Sequence, residues 1–460
     1  MRAMVAGAMD RIVHHIETLP SQPMHGSAGG RKLARALREP LPEGGVAFER
    51  LLRLLFGRVI PTSFNTASPG YLAYIPGGGL FHSAVADLIA DATNRYVGVF
   101  QAAPGLVALE ANVVRWFASI IGLPEGSGGI LTTGGSLANF TAVVTARRER
   151  LPADFLRGVL YTSEEAHHSV QKAAMLAGFP PERVRKIPSD ARFRLDLSAL
   201  REAIASDRAA DLTPFLLVGS AGTTATGAVD ALTELADIAE QERLWFHVDA
   251  AYGGFFALTE RGRVVLRGIE RADSVTLDPH KSLFLPYGTG CLLVRDVEAL
   301  RRAHSVSASY LPTMQTEPGL FDYCELSPEL SRDARGLRVW LPLKMHGAAV
   351  FRAELDEKLD LARAAAEALR LIAEIEISAE PELSLFAFRW CPPGLDDEAV
   401  DALNRRLIAA VNARQRVLLT GAVVHERFVV RICVLSFRTH REHIDMCLSD
   451  IAQAMRQLAG

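Results

Sequence analysis

"ALTELADIAEQERLWFHVDAAYGG", residues 231 to 254, carries two periods in succession. Leu232, Leu235, Ile238 and Ala239 recur at helical spacing, and Leu244 to Val248 is a short apolar run broken only by His247. An amphipathic helix that feeds directly into a strand apolar on both faces is the repeating half of a parallel α/β sheet. The pattern recurs along the chain. GVLYT (158–162), FLLVGS (215–220), SVTL (274–277) and CLLVR (291–295) read as further buried strands, with helical segments between them. The expected fold class is α/β, a mainly parallel sheet with helices on both faces. Ligands of such a sheet gather at the carboxyl ends of its strands.

The 460 residues are enough for a large core and more than one domain. With 49% hydrophobic and 22% charged residues, the composition is that of a globular protein. The formal charge of -3, with no basic block, points away from a nucleic-acid partner. Asp10 and Arg11 interrupt the N-terminal apolar stretch, so neither a secretory segment nor a membrane association is expected. Five cysteines without a CxxC pair predict reduced thiols in a cytoplasmic setting and no zinc site.

Three regions separate along the chain. Residues 1–60 form a helical arm built from RIVHHIETL, KLARAL and FERLLRLLFGRVI, too small for a core of its own. Residues 61–335 form the large α/β domain, ending in an irregular stretch over 306–335 whose length and prolines predict a lid. Residues 336–460 form a small α+β domain. It opens with a long helix, roughly Gly347 to Glu374, in which Glu354 and Lys358 are spaced i,i+4. The strands SLFAFRW (384–390) and FVVRICVLS (428–436) follow.

Chemistry-bearing residues sit at the strand exits. Asp249 ends LWFHVD and is followed by small Ala250 and Ala251, against which a flat ligand can lie. Gly134, Gly135 and Ser136 precede a helix, whose first N–H groups bind phosphate, though Gly-Gly-Ser there is more often a plain turn and cap. His167 and His168 follow GVLYT; such histidines are commonly caps, and adjacent ones make a poor metal pair. Thr223 and Thr224 follow FLLVGS. In "LDPHKSLFLPYGTG" (277–290), Lys281 stands between Pro279 and the apolar Leu283-Phe284-Leu285, a setting expected of a lysine that loses its proton and bonds covalently. A phosphate cradle, a stacking imidazole, a ring-pairing carboxylate and such a lysine, in that order, fit pyridoxal 5'-phosphate.

HVDAAYGG and DPHKSLFLPYGTG together resemble the group II pyridoxal-phosphate-dependent decarboxylases of the aromatic L-amino-acid and glutamate decarboxylase type, over nearly the whole chain. The resemblance implies a fold type I homodimer with active sites shared between subunits. It makes Lys281 the Schiff-base lysine, Asp249 the partner of the pyridine nitrogen, His167 and Ala251 the two faces of the ring, and Thr224 the neighbour of the ring hydroxyl. Gly135, Ser136 and His280 match the phosphate site, and Asp278 stands where that site often has asparagine. Tyr310 matches the tyrosine of the mobile catalytic loop. Catalysis is expected from Lys281, Tyr310, His167 and Asp249.

The expected reaction is loss of the α-carboxylate of an L-amino acid as CO2, leaving the amine. Tyr74, Pro76 and Gly77 are expected in the substrate pocket, with Ile75 and Leu80 giving an apolar wall and the glycines Gly77 to Gly79 leaving room. Ser282 replaces the tryptophan of the aromatic decarboxylases, and Thr66 and Ser68 stand in a region that is more aromatic in them. An aromatic or sizeable apolar side chain ranks first. Alternatives are an acidic substrate met by Arg95, an aldehyde synthase, an aminotransferase using Arg431 as its carboxylate grip, and a non-catalytic module.

Overall fold

The structure, a computed structural model, describes residues 1–26, 29–306, 314, 315, 317 and 319–459. Among these, seven strands form one sheet: β1 (Gly128–Thr132), β2 (Gly158–Ser163), β3 (Val184–Ile187), β4 (Thr213–Ser220), β5 (Trp245–Asp249), β6 (Ser274–Leu277) and β7 (Gly290–Val294). Their order is β1-β7-β6-β5-β4-β2-β3. The run from β6 to β3 is parallel throughout. Only β7 is reversed, pairing antiparallel with both β1 and β6. The carboxyl ends of β1, β2, β4, β5 and β6 therefore face one way, and the loops leaving them meet.

Alternate residues of these strands feed two apolar layers, as a two-residue period requires. Leu131, Val159, Tyr161, Leu217 and Phe246 pack into one, with Phe117, Phe255 and Phe256. Ile130, Leu160, Leu216, Val218 and Trp245 pack into the other, with Ala142, Val170 and Phe215. The helix Pro104–Ile121 is long and apolar enough for a membrane by length and hydropathy. It instead buries Val113, Val114 and Phe117 in the first layer, and its Glu110 is ion-paired in the interior.

The five strands expected from sequence are present with small boundary shifts, and β1 and β3 add to them. A second sheet, order β10-β11-β9-β8, is antiparallel and comprises β8 (Ile375–Ala379), β9 (Leu385–Trp390), β10 (Thr420–Val424) and β11 (Arg427–Cys433). The long helix spans Ala348–Arg370, and a separate helix, Arg335–His346, precedes it. Gly347, with φ +73, makes the break between them. Glu354 and Lys358 do pair at 3.2 Å, but the lysine is fully buried and also bonds Glu357 and the Thr439 carbonyl. The arm contains the helices Arg2–Thr18, Gly30–Ala36 and Phe48–Leu54.

Candidate active site

The converging strand exits enclose a cavity of about 370 Å³. Lining it are Gly135 and Ser136 after β1, His167 after β2, and Thr223 and Thr224 after β4. Asp249 and Ala251 come from the end of β5, and Asp278, His280 and Lys281 follow β6. Every described residue expected to hold the cofactor is thus brought together. Tyr310 lies outside the described residues.

The end of the cavity expected to take the phosphate is shaped by glycine. The helix Gly135–Arg150 opens at the cavity; the Leu137 N–H of its first turn is taken by the Gly134 carbonyl at 3.1 Å, and Gly135 and Ser136 before it line the cavity. A Cβ on Gly135 would stand 3.0 Å from Asp278 Oδ2 and 3.3 Å from the Ala251 Cβ, so any side chain there intrudes on the cradle. His280 Nδ1 lies 2.6 Å from the Thr289 carbonyl, which only accepts, so this nitrogen carries a proton. Arg338 supports the same turn, donating to the Gly288 carbonyl at 3.2 Å and Thr289 Oγ1 at 3.0 Å while paired with Asp87.

Lys281 Nζ is 3.0 Å from Asp278 Oδ2. Burial pulls the lysine pKa down, but Asp278 and Asp249 outweigh it and the net direction is up. The expectation of a lysine stripped of its proton by apolar surroundings is corrected accordingly. Leu283, Phe284 and Leu285 are buried in the core, while the ammonium is held by a carboxylate. Asp278 Oδ1 is buried without a hydrogen-bond partner, an orphaned acceptor at the cavity wall. Ser282, in the position of the family's tryptophan, is fully buried and donates to the Tyr252 carbonyl at 2.7 Å. It ties the lysine segment to the loop after Asp249.

The surroundings of Asp249 and His167 are only half visible in the sequence. Asp249 Oδ1 accepts from the Ala251 N–H at 3.2 Å and Oδ2 from Asn139 Nδ2 at 2.9 Å. Asn139, Ser169 and His247 were not singled out beforehand. The signal was present: Asn139 lies four residues beyond Gly135 on one helix, and His247 two residues before Asp249 on one strand face. His167 bonds Ser169 through Nδ1 at 2.7 Å, and burial lowers its pKa, so it is neutral at neutral pH.

The substrate wall departs from expectation. Ile75 lines the cavity; Tyr74, Pro76 and Gly77 are not among its lining residues. Tyr74 is 52% exposed with φ +53. Gly77 leaves no room: a Cβ there would sit 2.1 Å from the His280 carbonyl oxygen. At Gly78, with φ +86, a Cβ would meet Ser436 Oγ at 2.7 Å, and only Gly79 opens on free space. Gly77 thus serves close backbone packing against the lysine segment, to which the Leu80 N–H also donates, at the Phe284 carbonyl, at 2.8 Å. Tyr287 and Leu137 supply lining that the sequence did not suggest. Arg95 is exposed. Arg431 donates to the Thr224 and Ala225 carbonyls and to Thr420, a clamp on the β4 exit and not a free carboxylate grip.

A parallel sheet whose strand ends gather a lysine, a buried carboxylate, an imidazole and a glycine-opened helix is the fold type I arrangement of pyridoxal-phosphate enzymes. The description "pyridoxal-dependent decarboxylase conserved domain" matches residues 42–391. An aromatic-L-amino-acid decarboxylase of Bacillus atrophaeus is 34% identical over 446 residues, covering 96% of this chain and 93% of that protein. A phenylacetaldehyde synthase of Petunia hybrida is 29% identical, covering 95% and 89%. The crystal structure of Oryza sativa TDC with PLP and tryptamine superposes with a TM-score of 0.95 at 28% identity, covering 100% of this chain and 98% of that one. The chain belongs to the pyridoxal-dependent decarboxylase family: it is a carboxy-lyase acting on an amino acid, with pyridoxal 5'-phosphate as cofactor.

Proposed function

We propose that this enzyme decarboxylates L-amino acids with an aromatic or sizeable apolar side chain, giving the amine and CO2. The observation that carries the preference is the lining of the cavity. Apart from Lys281 it contains no lysine or arginine among the described residues, whereas Ile75, Leu137, Tyr252 and Tyr287 offer apolar and aromatic surface. A side-chain carboxylate buried there would lack a cation, which is costly. An aminotransferase finds no support in Arg431, whose guanidinium is taken by backbone carbonyls.

When bound, the cofactor supplies an electron sink for the bond broken as CO2 leaves. We assign Lys281 its covalent attachment. Asp249 is assigned to the pyridine nitrogen, and His167 and Ala251 to opposite ring faces. Thr224 is assigned to the ring hydroxyl, and Gly135, Ser136 and His280 to the phosphate. Tyr310 is assigned proton delivery to the substrate Cα.

The same reading divides the chain into an arm over 1–60, a cofactor-binding domain over 61–335 and a small domain over 336–460. It makes the enzyme a homodimer with shared active sites. Large exposed apolar side chains concentrate before residue 100, among them Phe48, Leu51, Leu55, Phe64, Tyr74 and Leu88, as a covered face requires. Five cysteines, all free, support a cytoplasmic location.

A panel of L-amino acids assayed for CO2 and amine with the purified holoenzyme tests the proposal. Tryptophan, tyrosine, phenylalanine or dopa are expected to be turned over ahead of glutamate and aspartate. Turnover of the acidic pair alone would overturn it.

A further inference from the structure

Asp249 is one branch of a longer buried chain of polar groups. Asn139 Nδ2 donates to Asp249 Oδ2 and to Ser169 Oγ, both at 2.9 Å. Its Oδ1 accepts from Thr276 Oγ1 at 2.6 Å and lies 3.1 Å from His247 Nε2. His247 Nδ1 is 2.8 Å from Ser274 Oγ, to which Trp245 Nε1 also donates at 2.8 Å. At the other end, Ser169 Oγ is 2.7 Å from His167 Nδ1, and the Ser169 backbone N–H donates to that nitrogen at 3.3 Å. Asn139, Ser169, His247, Ser274 and Thr276 are all buried.

What each group is able to donate fixes the protons. The Asp249 carboxylate only accepts, so Asn139 turns Nδ2 toward it and presents Oδ1, an acceptor, to His247 Nε2; Ser274 accepts from the Trp245 indole N–H. Burial holds the His247 imidazole well below its ordinary pKa, so it is neutral and its single proton is on Nε2. That N–H meets Asn139 Oδ1. The reversed amide would set N–H against N–H and a carbonyl against the Asp249 carboxylate. Both Nδ2 protons then go to Asp249 and Ser169. Ser169, having accepted one, gives its own to His167 Nδ1. His167 is left with its proton on Nε2.

We propose that Asn139 and His247 are positioning residues in a one-directional hydrogen-bond relay. It runs from Trp245 through Ser274, His247 and Asn139, then branches to Asp249 and, through Ser169, to His167. It holds the Asp249 carboxylate in one orientation and fixes both imidazoles as Nε2–H tautomers. Its catalytic meaning rests on the reading in which Asp249 and His167 flank the cofactor; its proton positions do not.

Histidine NMR with isotope-labelled ring nitrogens, on the full chain with and without pyridoxal phosphate, reads the tautomers. Wild-type His247 and His167 are both expected to have a protonated Nε2 and a bare Nδ1. Ser274 is outside the cavity lining. Ser274→Ala is expected to abolish the single-tautomer signature of His247, to shift that of His167, and to weaken pyridoxal phosphate binding about tenfold, the scale of one buried group left unsatisfied. Asn139→Asp separates the branches and serves should Ser274→Ala fail to fold. A carboxylate still accepts from His247 but has no N–H for Ser169 and takes that hydroxyl's proton instead, so His247 is expected to keep its tautomer while the His167 Nδ1 signal shifts, left with the Ser169 backbone N–H alone. An Nδ1–H tautomer for either histidine in the wild type, or a His167 signature untouched in the variants, overturns the relay. Wild-type tautomers as expected in a protein that binds no pyridoxal phosphate would sink the functional reading and leave the relay standing.

Discussion

Asp278 holds Lys281 within a single turn of chain, with Nζ 3.0 Å from Oδ2 and the second carboxylate oxygen left unpartnered. The pair sits beside the start of the helix Gly135–Arg150, where Asp278 Oδ2 would be 3.0 Å from a Cβ on Gly135. A carboxylate here stabilises the ammonium form of the lysine and, on the proposed placing of the phosphate at Gly135 and Ser136, adds negative charge beside it, two effects that would oppose loading of the cofactor.

Asp278→Asn is therefore expected to ease loading. Lysine reacts with an aldehyde as the free amine, and its pKa is raised in the presence of Asp278 and Asp249. Removing one of the two charges lowers that pKa, so the midpoint of attachment against pH moves down, by about one unit or more for a charge this close. Pyridoxal phosphate is also expected to bind more tightly. Borohydride trapping across a pH series measures the first effect and a titration of the cofactor-free protein the second. An unmoved midpoint would mean that Asp278 does not govern the lysine's proton.

Lys281→Ala is expected to abolish turnover and leave the fold intact. The cavity keeps Gly135, Ser136 and His280, the residues proposed for the phosphate, so non-covalent binding is expected to persist. Mass spectrometry after borohydride treatment is expected to find no cofactor fixed to the chain. A fixed adduct, or full decarboxylation, would remove Lys281 from its assigned role.

Asp249→Asn is expected to keep the shape of the site and lose rate, about a hundredfold, on the scale of losing one preorganised electrostatic partner. The amide no longer offers two acceptor oxygens to Asn139 and the Ala251 N–H, and no longer holds the ring nitrogen protonated. Steady-state kinetics with saturating cofactor reads the loss. Wild-type turnover would make Asp249 a turn residue only.

Much of the site was legible because a parallel sheet converts sequence order into spatial order. Asp249, His167, Thr224 and Lys281 each follow a strand, and parallel strands end on one side. What stayed hidden depends on contacts between elements. Asn139 is bonded to residues 30 and 110 positions away, and no local pattern announces that. Strand β1 contains two glycines, which carry no strand signal; Gly129 is there because a Cβ would stand 2.0 Å from the Leu292 carbonyl oxygen. Strand β3, VRKI, is a half-exposed edge strand with too few apolar residues to stand out. Gly77 and Gly78 looked like open space in a substrate wall. Gly77 is a point of contact with the backbone of the lysine segment and Gly78 packs on the Ser436 and Phe437 side chains, a distinction that only packing makes.

Strand β1, which leads to Gly134 and Gly135, also rests on a buried ion pair. Glu110 and Arg332 meet at 2.7 Å with side chains 2% and 0% exposed. Arg332 donates to the Leu131 carbonyl at 2.8 Å, and the Leu131 N–H reaches Glu110 at 3.4 Å, so the pair grips β1 just before the Gly134 turn. The guanidinium also lies 4.6 Å from the Tyr323 ring centroid. Arg332→Met leaves the Glu110 carboxylate buried without its cation and is expected to cost about 3–5 kcal/mol of stability. Glu110→Gln combined with Arg332→Met removes both charges and is expected to recover most of that loss, since uncharged residues of similar volume replace a buried pair cheaply. Urea unfolding of the wild type, both single variants and the double variant completes the cycle. Additive losses in the double variant would show that the two side chains act independently, and the grip on β1 would then have to come from Arg335, which also faces the Leu131 carbonyl at 3.4 Å.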